Sequence, residues 1–197
     1  MLRFTTLVFV LAYHVVLFAA ASASAGEPVS LFDGKSLDGW DVITCEVAVQ
    51  DGCVLLKGGN GLLQTKQQYA DFVFEYEWKA LKPDNWDSGV YFRYTEVPSG
   101  RPWPARYQVN LRKGMEGNLD GNKAGKNPVP TKPSAWNKFE LTVKGATASL
   151  KVNGQPAWHA EGIEPAKGYI ALQAEIPGGG QFLFRNIRIT ELIPAAK

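Results

Sequence analysis

Several charged and amide side chains lie within segments whose polar and apolar residues alternate as in a β-strand. Their positions are unusual for a solvated strand edge. Carboxylates are the most informative of these residues, because one protonated and one ionised carboxyl group can act together as acid and base in bond cleavage. The alternative is that these side chains only make the outer face of a sheet polar. The residues at such positions are Glu75, Glu77, Arg93, Gln108, Gln173 and Glu175.

Two tryptophans and one further carboxylate lie between the predicted strands. Trp86 and Trp103 stand among polar residues and prolines, where a buried tryptophan is less expected. An exposed indole face can stack on the apolar side of a sugar ring, and anchoring of the loop is the alternative role for each residue. Glu116 lies in the turn formed by residues 114–117. The other tryptophans, which we assign to the core, are Trp40, Trp78, Trp136 and Trp158.

Few residues are suited to holding a metal ion. His159 is the only histidine after residue 25, which excludes a histidine-based metal cluster there and disfavours a serine–histidine–aspartate triad. Asn118, Asp120 and Asn122 place oxygens at alternate positions, as a calcium-binding loop does, but the closing acidic residue of an EF-hand is missing. No cofactor is therefore expected, and calcium at these three residues is the alternative.

The first 25 residues have the organisation of a signal peptide. Arg3 supplies a positive start, the stretch 7–21 is apolar, and Ala23-Ser24-Ala25 offers small residues for cleavage. The mature protein is thus expected to begin near Gly26, to be secreted or periplasmic, and to have no membrane span; a permanent anchor is the alternative. A net charge of +2 without a basic block argues against nucleic acid as a partner.

The rest of the chain reads as one strand after another. Phe72 to Trp78 alternates, with aromatic residues on one face and Glu75 and Glu77 on the other. Asp51-Gly52 and Asn153-Gly154 predict tight hairpin turns, and residues 58–61 predict another turn. Short strands separated by Gly, Pro and Asn predict an all-β sandwich or barrel, as a single domain over 26–197. Whether Cys45 and Cys53 are paired is left open.

Several motifs in a fixed order resemble one family. Leu31 to Trp40 reads LFDGKSLDGW, Asp87 to Arg93 reads DSGVYFR, and Phe184 to Ile189 reads FRNIRI. Tyr107-Gln108-Val109 and the strand from Gly168 to Gln173 fit the same pattern. Through these residues the chain is similar to the DUF1080, or 3-keto-disaccharide hydrolase, domain family along nearly all of 26–197.

The resemblance implies a concanavalin A-like jelly roll of two curved antiparallel sheets. It also implies a carbohydrate substrate, namely a disaccharide or other glycoside oxidised to a ketone at sugar carbon 3. Such a ketone acidifies the hydrogen on C2, so a base can remove it, the C1 substituent can leave, and water can then add. This route needs a base near its working pH and a cation or hydrogen-bond donor for the enolate.

We assign this chemistry to residues that the resemblance places in one sheet. Glu77 and Glu175 are the predicted acid and base, and Arg93 is expected near the enolate oxygen. The other predicted groove residues, which would bind the substrate, are Glu75, Asp87, Trp86, Trp103, Arg106, Gln108, Glu116 and Gln173.

Three positions depart from the family pattern. Arg106 stands where many members carry Glu, Glu175 where many carry His, and Asp87 where Asn is usual. The departures at Arg106 and Glu175 favour the rival hypothesis, a carbohydrate-binding module that has kept the groove without the chemistry. A structural cell-surface domain is a third hypothesis, but it leaves the polar strand positions unexplained.

Overall fold

The computed structural model describes residues 24–193, whose regular elements are all β-strands. Every pairing between them is antiparallel. The strands are β1 (Ser24–Ala25), β2 (Val29–Ser30), β3 (Trp40–Gln50), β4 (Cys53–Thr65), β5 (Phe72–Ala80), β6 (Gly89–Tyr94), β7 (Gln108–Asn110), β8 (Leu119–Asp120), β9 (Asn137–Lys144), β10 (Thr147–Val152), β11 (Gln155–Glu161), β12 (Tyr169–Ile176) and β13 (Phe182–Ile193).

The strands form two layers with the core between them. The back layer has the order β11-β10-β9-β5-β13, and the front layer has the order β4-β12-β6-β7-β8. Strand β4 joins the layers, because its first residues pair with β13 and its last residues pair with β12. This continuous antiparallel sheet, curled over on itself, confirms the predicted jelly roll.

The β3–β4 hairpin corrects one sequence-based expectation. Asp51 and Gly52 both have positive φ and form the predicted tight turn. Residues 58–61, however, are not a turn: they lie inside β4, where irregular pairing with β3 bends the strand between the layers. Within the described part of the chain both cysteines are free, with Cys45 opposite Gly59 and Cys53 opposite Gln50.

Aromatic side chains of the back layer dominate the core. Phe72, Phe74, Tyr76 and Trp78 are buried, as the alternation along β5 predicts. Phe139 of β9 contacts this row, with its ring centroid 5.6 Å from that of Tyr76 and 5.7 Å from that of Trp78. The intervening residues of β5 point away from the core, which makes the outer face of the back layer polar.

Three of the four tryptophans assigned to the core are buried, namely Trp40, Trp78 and Trp158. The assignment is wrong for Trp136, which is only partly buried. Its ring lies 4.0 Å from the guanidinium carbon of Arg185, a cation–π contact.

Positions 1–23 of the predicted signal peptide lie outside the described residues, so export and the secreted or periplasmic location stay predictions. Between residues 24 and 193, no helical segment has the length and hydropathy that a membrane crossing would need.

Candidate active site

Polar side chains on the outer face of the front layer form a connected row, and we call this surface the front face. Three of the predicted site residues lie on it, namely Gln173 and Glu175 of β12 and Gln108 of β7. The Gln108 Nε2 donates to Gln173 Oε1, and Gln173 Nε2 donates to Glu175 Oε2 at 3.1 Å. The two amides therefore hold the Glu175 carboxylate in one orientation.

Gly89 makes this connection through its missing side chain. It lies on β6 between the other two strands, opposite Gln173 on one side and Asn110 on the other. A Cβ added at Gly89 would overlap the Gln108 amide. The glycine of the DSGVYFR motif is thus required for close approach of two side chains and not for a positive φ.

Asp87 lies at the same end of the front face as Glu175, two residues before β6. Its backbone is held by the hydrogen bond from Asp87 N to Gly179 O at 2.9 Å. Burial raises the pKa of its carboxyl to about 6; the negative charge of Glu175 adds to this, Arg112 opposes it, and Asp120 adds a smaller contribution. Arg112 is exposed, with its Nε 3.6 Å from Asp87 Oδ2. Asp87 therefore has the acidity of a proton-transfer group working near neutral pH.

Two further polar residues extend the row towards the edge of the front layer. Asp120 of β8 lies opposite Gln108, and its Oδ2 accepts a hydrogen bond from Asn110 Nδ2 at 2.7 Å. Sequence reasoning considered Asp120 only as a calcium ligand and did not select Asn110. The alternation of β7 could have identified Asn110, because it shares a face with Gln108.

Trp103 borders the site from the loop between β6 and β7, as predicted. Its Nε1 donates to the carbonyl of Ala174, next to Glu175, at 3.3 Å. The ring packs with a small apolar cluster on the front face that is separate from the main core and includes Leu62, Tyr91 and Tyr94. The indole is only partly buried, so an aromatic surface lies beside the carboxylates.

Arg93 does not reach this site. Its side chain is 0% exposed. Nε donates to the carbonyl of Ala70 at 2.8 Å, Nη1 to the carbonyl of Pro165 at 2.8 Å, and Nη2 to Asp71 Oδ1 at 3.0 Å. A guanidinium that is sealed and engaged at all three nitrogens cannot bind an enolate, so the structure does not support the predicted role.

The structure also does not bring Glu77 and Glu175 together. Glu77 lies on β5 and points to the outer face of the back layer, whereas Glu175 points to the outer face of the front layer. Burial acts to raise the pKa of Glu77, but hydrogen bonds from Asn186 and Arg185, both at 2.8 Å, lower it overall. Glu77 is a fixed ionised partner of Arg185 on the wrong side of the sandwich to pair with Glu175.

Three other predicted groove residues also lie elsewhere. Glu75 faces the back layer's outer surface, 2.6 Å from Lys138 Nζ. Trp86 donates from Nε1 to Glu116 Oε1 at 2.9 Å, and the two line a separate cavity of about 460 Å³ next to the loop 112–135. Trp86 packs against the main core, so anchoring of the loop, the alternative role, describes it better.

Arg106 is exposed, and its guanidinium carbon lies 5.3 Å from the ring centroid of Tyr107. It lines a shallow cavity together with Thr95, Ile163 and Pro165. Because this cavity is lined by none of Asp87, Gln108 and Glu175, the structure does not bring Arg106 together with the front-face carboxylates.

The suggested calcium ligands do not converge. Asn118 Oδ1 accepts from the backbone of Asn127, and Asn122 Oδ1 accepts from the backbone of Ala124. Asp120 instead faces Asn110. Among residues 24–193 no group of three or more His, Cys, Asp and Glu side chains has the arrangement of a metal site.

The fold and the site together define an antiparallel jelly-roll β-sandwich that carries carboxylates, amides and a tryptophan on one outer face. Residues 27–190 of this sandwich match the model of the 3-keto-alpha-glucoside-1,2-lyase-like domain. The chain belongs to this family, which confirms the assignment made from its motifs.

Similar proteins are consistent with this membership. A 3-keto-disaccharide hydrolase of Bacteroides thetaiotaomicron is 31% identical over 85 residues, which cover 36% of this chain and only 29% of that relative. A provisionally assigned glycosyl hydrolase of Parabacteroides distasonis superposes with a TM-score of 0.67 at 20% identity, covering 84% of this chain and 94% of the other. A carbohydrate-binding module of Bacillus subtilis gives a TM-score of 0.57 at 12% identity, covering 76% and 93%. The last two likenesses establish the fold alone.

Proposed function

We propose that this protein cleaves the glycosidic bond of glycosides that carry a ketone at C3 of the sugar, with Asp87 as the base. The observation that carries the proposal is the partly buried Asp87 carboxyl, which lies beside Glu175 on the front face and has a pKa of about 6. Membership of the 3-keto-alpha-glucoside-1,2-lyase-like family supports the substrate class.

The first half of the proposed reaction is an elimination. Asp87 removes the proton from C2, and the electrons of that bond form a double bond to C3 while the ketone oxygen becomes an enolate. The enolate then re-forms the ketone, a C1–C2 double bond appears, and the bond from C1 to the leaving oxygen breaks. Protonated Asp87 gives its proton to that oxygen, so one carboxyl group serves as base and then as acid.

The second half adds water to the C1–C2 double bond by the same steps in reverse. Asp87 takes a proton from water while the water oxygen bonds to C1, and Asp87 then returns a proton to C2. The sum of both halves is hydrolysis. Burial, together with the negative charge of Glu175, keeps the basicity of Asp87 above that of an ordinary aspartate, which assists both proton removals.

The test compares two substrates over a range of pH. Purified protein should release free sugar from a 3-keto disaccharide and leave the unoxidised disaccharide intact, because only the ketone acidifies C2. The base must be ionised, so kcat/KM should rise about tenfold per pH unit below about pH 6 and level off above it.

Two results would contradict the proposal. Binding of the 3-keto disaccharide without any release would identify a carbohydrate-binding module, the rival that the jelly-roll fold also allows. Equal cleavage of both disaccharides would mean that the ketone takes no part, and an ordinary two-carboxylate glycosidase would then be the better description.

Gly89→Ala should separate positioning from folding. The new Cβ displaces the Gln108 amide, which breaks the Gln108–Gln173 hydrogen bond and so removes the contact that orients the Gln173 amide towards Glu175. We expect kcat/KM for the 3-keto disaccharide to fall at least about tenfold, since small displacements of reacting groups are costly. Steady-state kinetics of release measures this.

Gly58→Ala is the matched control, because it also adds a methyl group within a strand but meets only ordinary contacts with Glu46. If Gly89→Ala reacts as fast as Gly58→Ala, the amide row does not position the reacting groups.

A further inference from the structure

Tyr91 occupies the centre of the front face. It lies on β6 directly opposite Ala171 of β12 and Gln108 of β7, so its side chain shares the face of the amide row. The residue is only 6% exposed, and its ring packs with Leu62 and edge-on to Tyr94, with centroids 6.3 Å apart. The packing holds the ring in place and fixes where the hydroxyl lies.

The Tyr91 hydroxyl takes part in none of the hydrogen bonds formed among residues 24–193. It is also not among the sealed polar atoms without a partner, which in this part of the chain are the Tyr76 hydroxyl and Trp78 Nε1. An oxygen that is neither bonded nor sealed is available to a bound molecule.

The surroundings keep this hydroxyl protonated. Burial raises the pKa of Tyr91 well above its ordinary value, and the negative charges of Asp120, Glu175 and Asp87 add to the shift, whereas Arg101 opposes it. A phenol in this setting does not act as a base. Near neutral pH it is a hydrogen-bond donor.

We propose that the Tyr91 hydroxyl donates a hydrogen bond to the C3 oxygen of the keto sugar, where negative charge develops as Asp87 removes the C2 proton. This inference rests on the proposed function and adds a second catalytic residue to it. Tyr91 keeps its proton throughout: the electron pair of the C2–H bond places negative charge on the C3 oxygen, and this charge passes to the leaving oxygen, which Asp87 protonates, when the C1–oxygen bond breaks.

This donor fills the role that sequence reasoning gave to Arg93. Of the nearby cations, Arg93 is sealed behind its three partners, Arg112 lies against Asp87 and Arg101 is exposed to solvent. A neutral donor is also better suited to a site with three carboxylates, because a free cation there would form an ion pair instead of meeting the substrate. A preorganised donor to a developing oxyanion contributes about 10²–10³ in rate.

The test is Tyr91→Phe, which removes one oxygen and keeps the buried ring. Two rates are measured: release of free sugar from a 3-keto disaccharide, and exchange of the C2 hydrogen for deuterium, followed by NMR in D₂O. Both should fall by about 10²–10³, with a much smaller change in KM and an unchanged melting temperature. The exchange rate reports enolate formation itself, which a purely structural role would leave unchanged.

Tyr94→Phe is the matched control. Tyr94 belongs to the same cluster, but its hydroxyl donates to Gln64 Oε1 at 2.8 Å. It should lose little of either rate. If Tyr91→Phe keeps both rates while Asp87→Asn loses them, this inference is overturned and the proposed function stands. If the unsubstituted protein shows neither release nor C2 exchange, the proposed function falls and this inference falls with it.

Discussion

Asp87→Asn is expected to lower kcat for a 3-keto disaccharide by about 10²–10⁴, the range for loss of a group that transfers protons. Asparagine has the shape of aspartate but cannot accept the C2 proton or return it to the leaving oxygen. Binding of the 3-keto disaccharide, measured by calorimetry, should survive within a few-fold. Loss of turnover with retained binding assigns the proton transfer to this carboxyl group.

The same substitution should stabilise the fold at neutral pH. The folded pKa of Asp87, about 6, lies above the ordinary value of 3.8, so its ionised form is disfavoured in the folded state. The ionised carboxylate therefore lowers the stability of the fold above pH 6, and this loss becomes smaller as the pH falls. It is absent below about pH 3.8, where the carboxyl is protonated in both the folded and the unfolded state. Asp87→Asn should therefore melt at a higher temperature than the unsubstituted protein at pH 7, but not at pH 3.5.

Asp84→Asn is the control, since Asp84 lies three residues earlier in the same loop but is exposed and paired with Lys113. Asp84→Asn should leave turnover unchanged, and it should not raise the melting temperature at pH 7 as Asp87→Asn does. Full activity of Asp87→Asn would remove the proposed base and direct attention to Glu175.

The fold was predictable because its signals are local. Alternation fixed the buried face of β5, and Asn153-Gly154 has the positive φ values of the predicted hairpin. The error at residues 58–61 has a physical cause. Glycines and an asparagine are typical of turns, but here they allow a long strand to bend between two layers, and only the pairing partners distinguish the two cases.

The site was only partly predictable, because alternation identifies an outward-facing residue without saying which layer it belongs to. Glu77 and Glu175 look alike in sequence, yet they lie on opposite outer faces. The raised pKa of Asp87 depends on burial beneath the loop at Gly179 and on the charge of Glu175, both of which are remote in sequence. The predicted contact of Arg93 with the enolate was wrong for a related reason, because the partners of Arg93 come from two loops that are distant in sequence.

Arg93 is instead expected to be one of the most important residues for stability. It joins the segment before β5, through Ala70 and Asp71, to the loop before β12, through Pro165. Removing it leaves two carbonyls without their donors and Asp71 without its cation. Breaking a buried ion pair in this way typically costs about 3–5 kcal/mol, so Arg93→Met should lose that much free energy of unfolding in urea titrations.

Arg188→Met is the matched control, because Arg188 is exposed on the outer face of the back layer and should cost well under 1 kcal/mol. Arg93→Lys should fall between the two, since lysine keeps the charge but cannot reach three acceptors at once. At a temperature where Arg93→Met is still folded, its turnover of the 3-keto disaccharide should match that of the unsubstituted protein. A variant that melts normally but has lost turnover would instead return Arg93 to the active site, because only a contact with the substrate would then account for the loss.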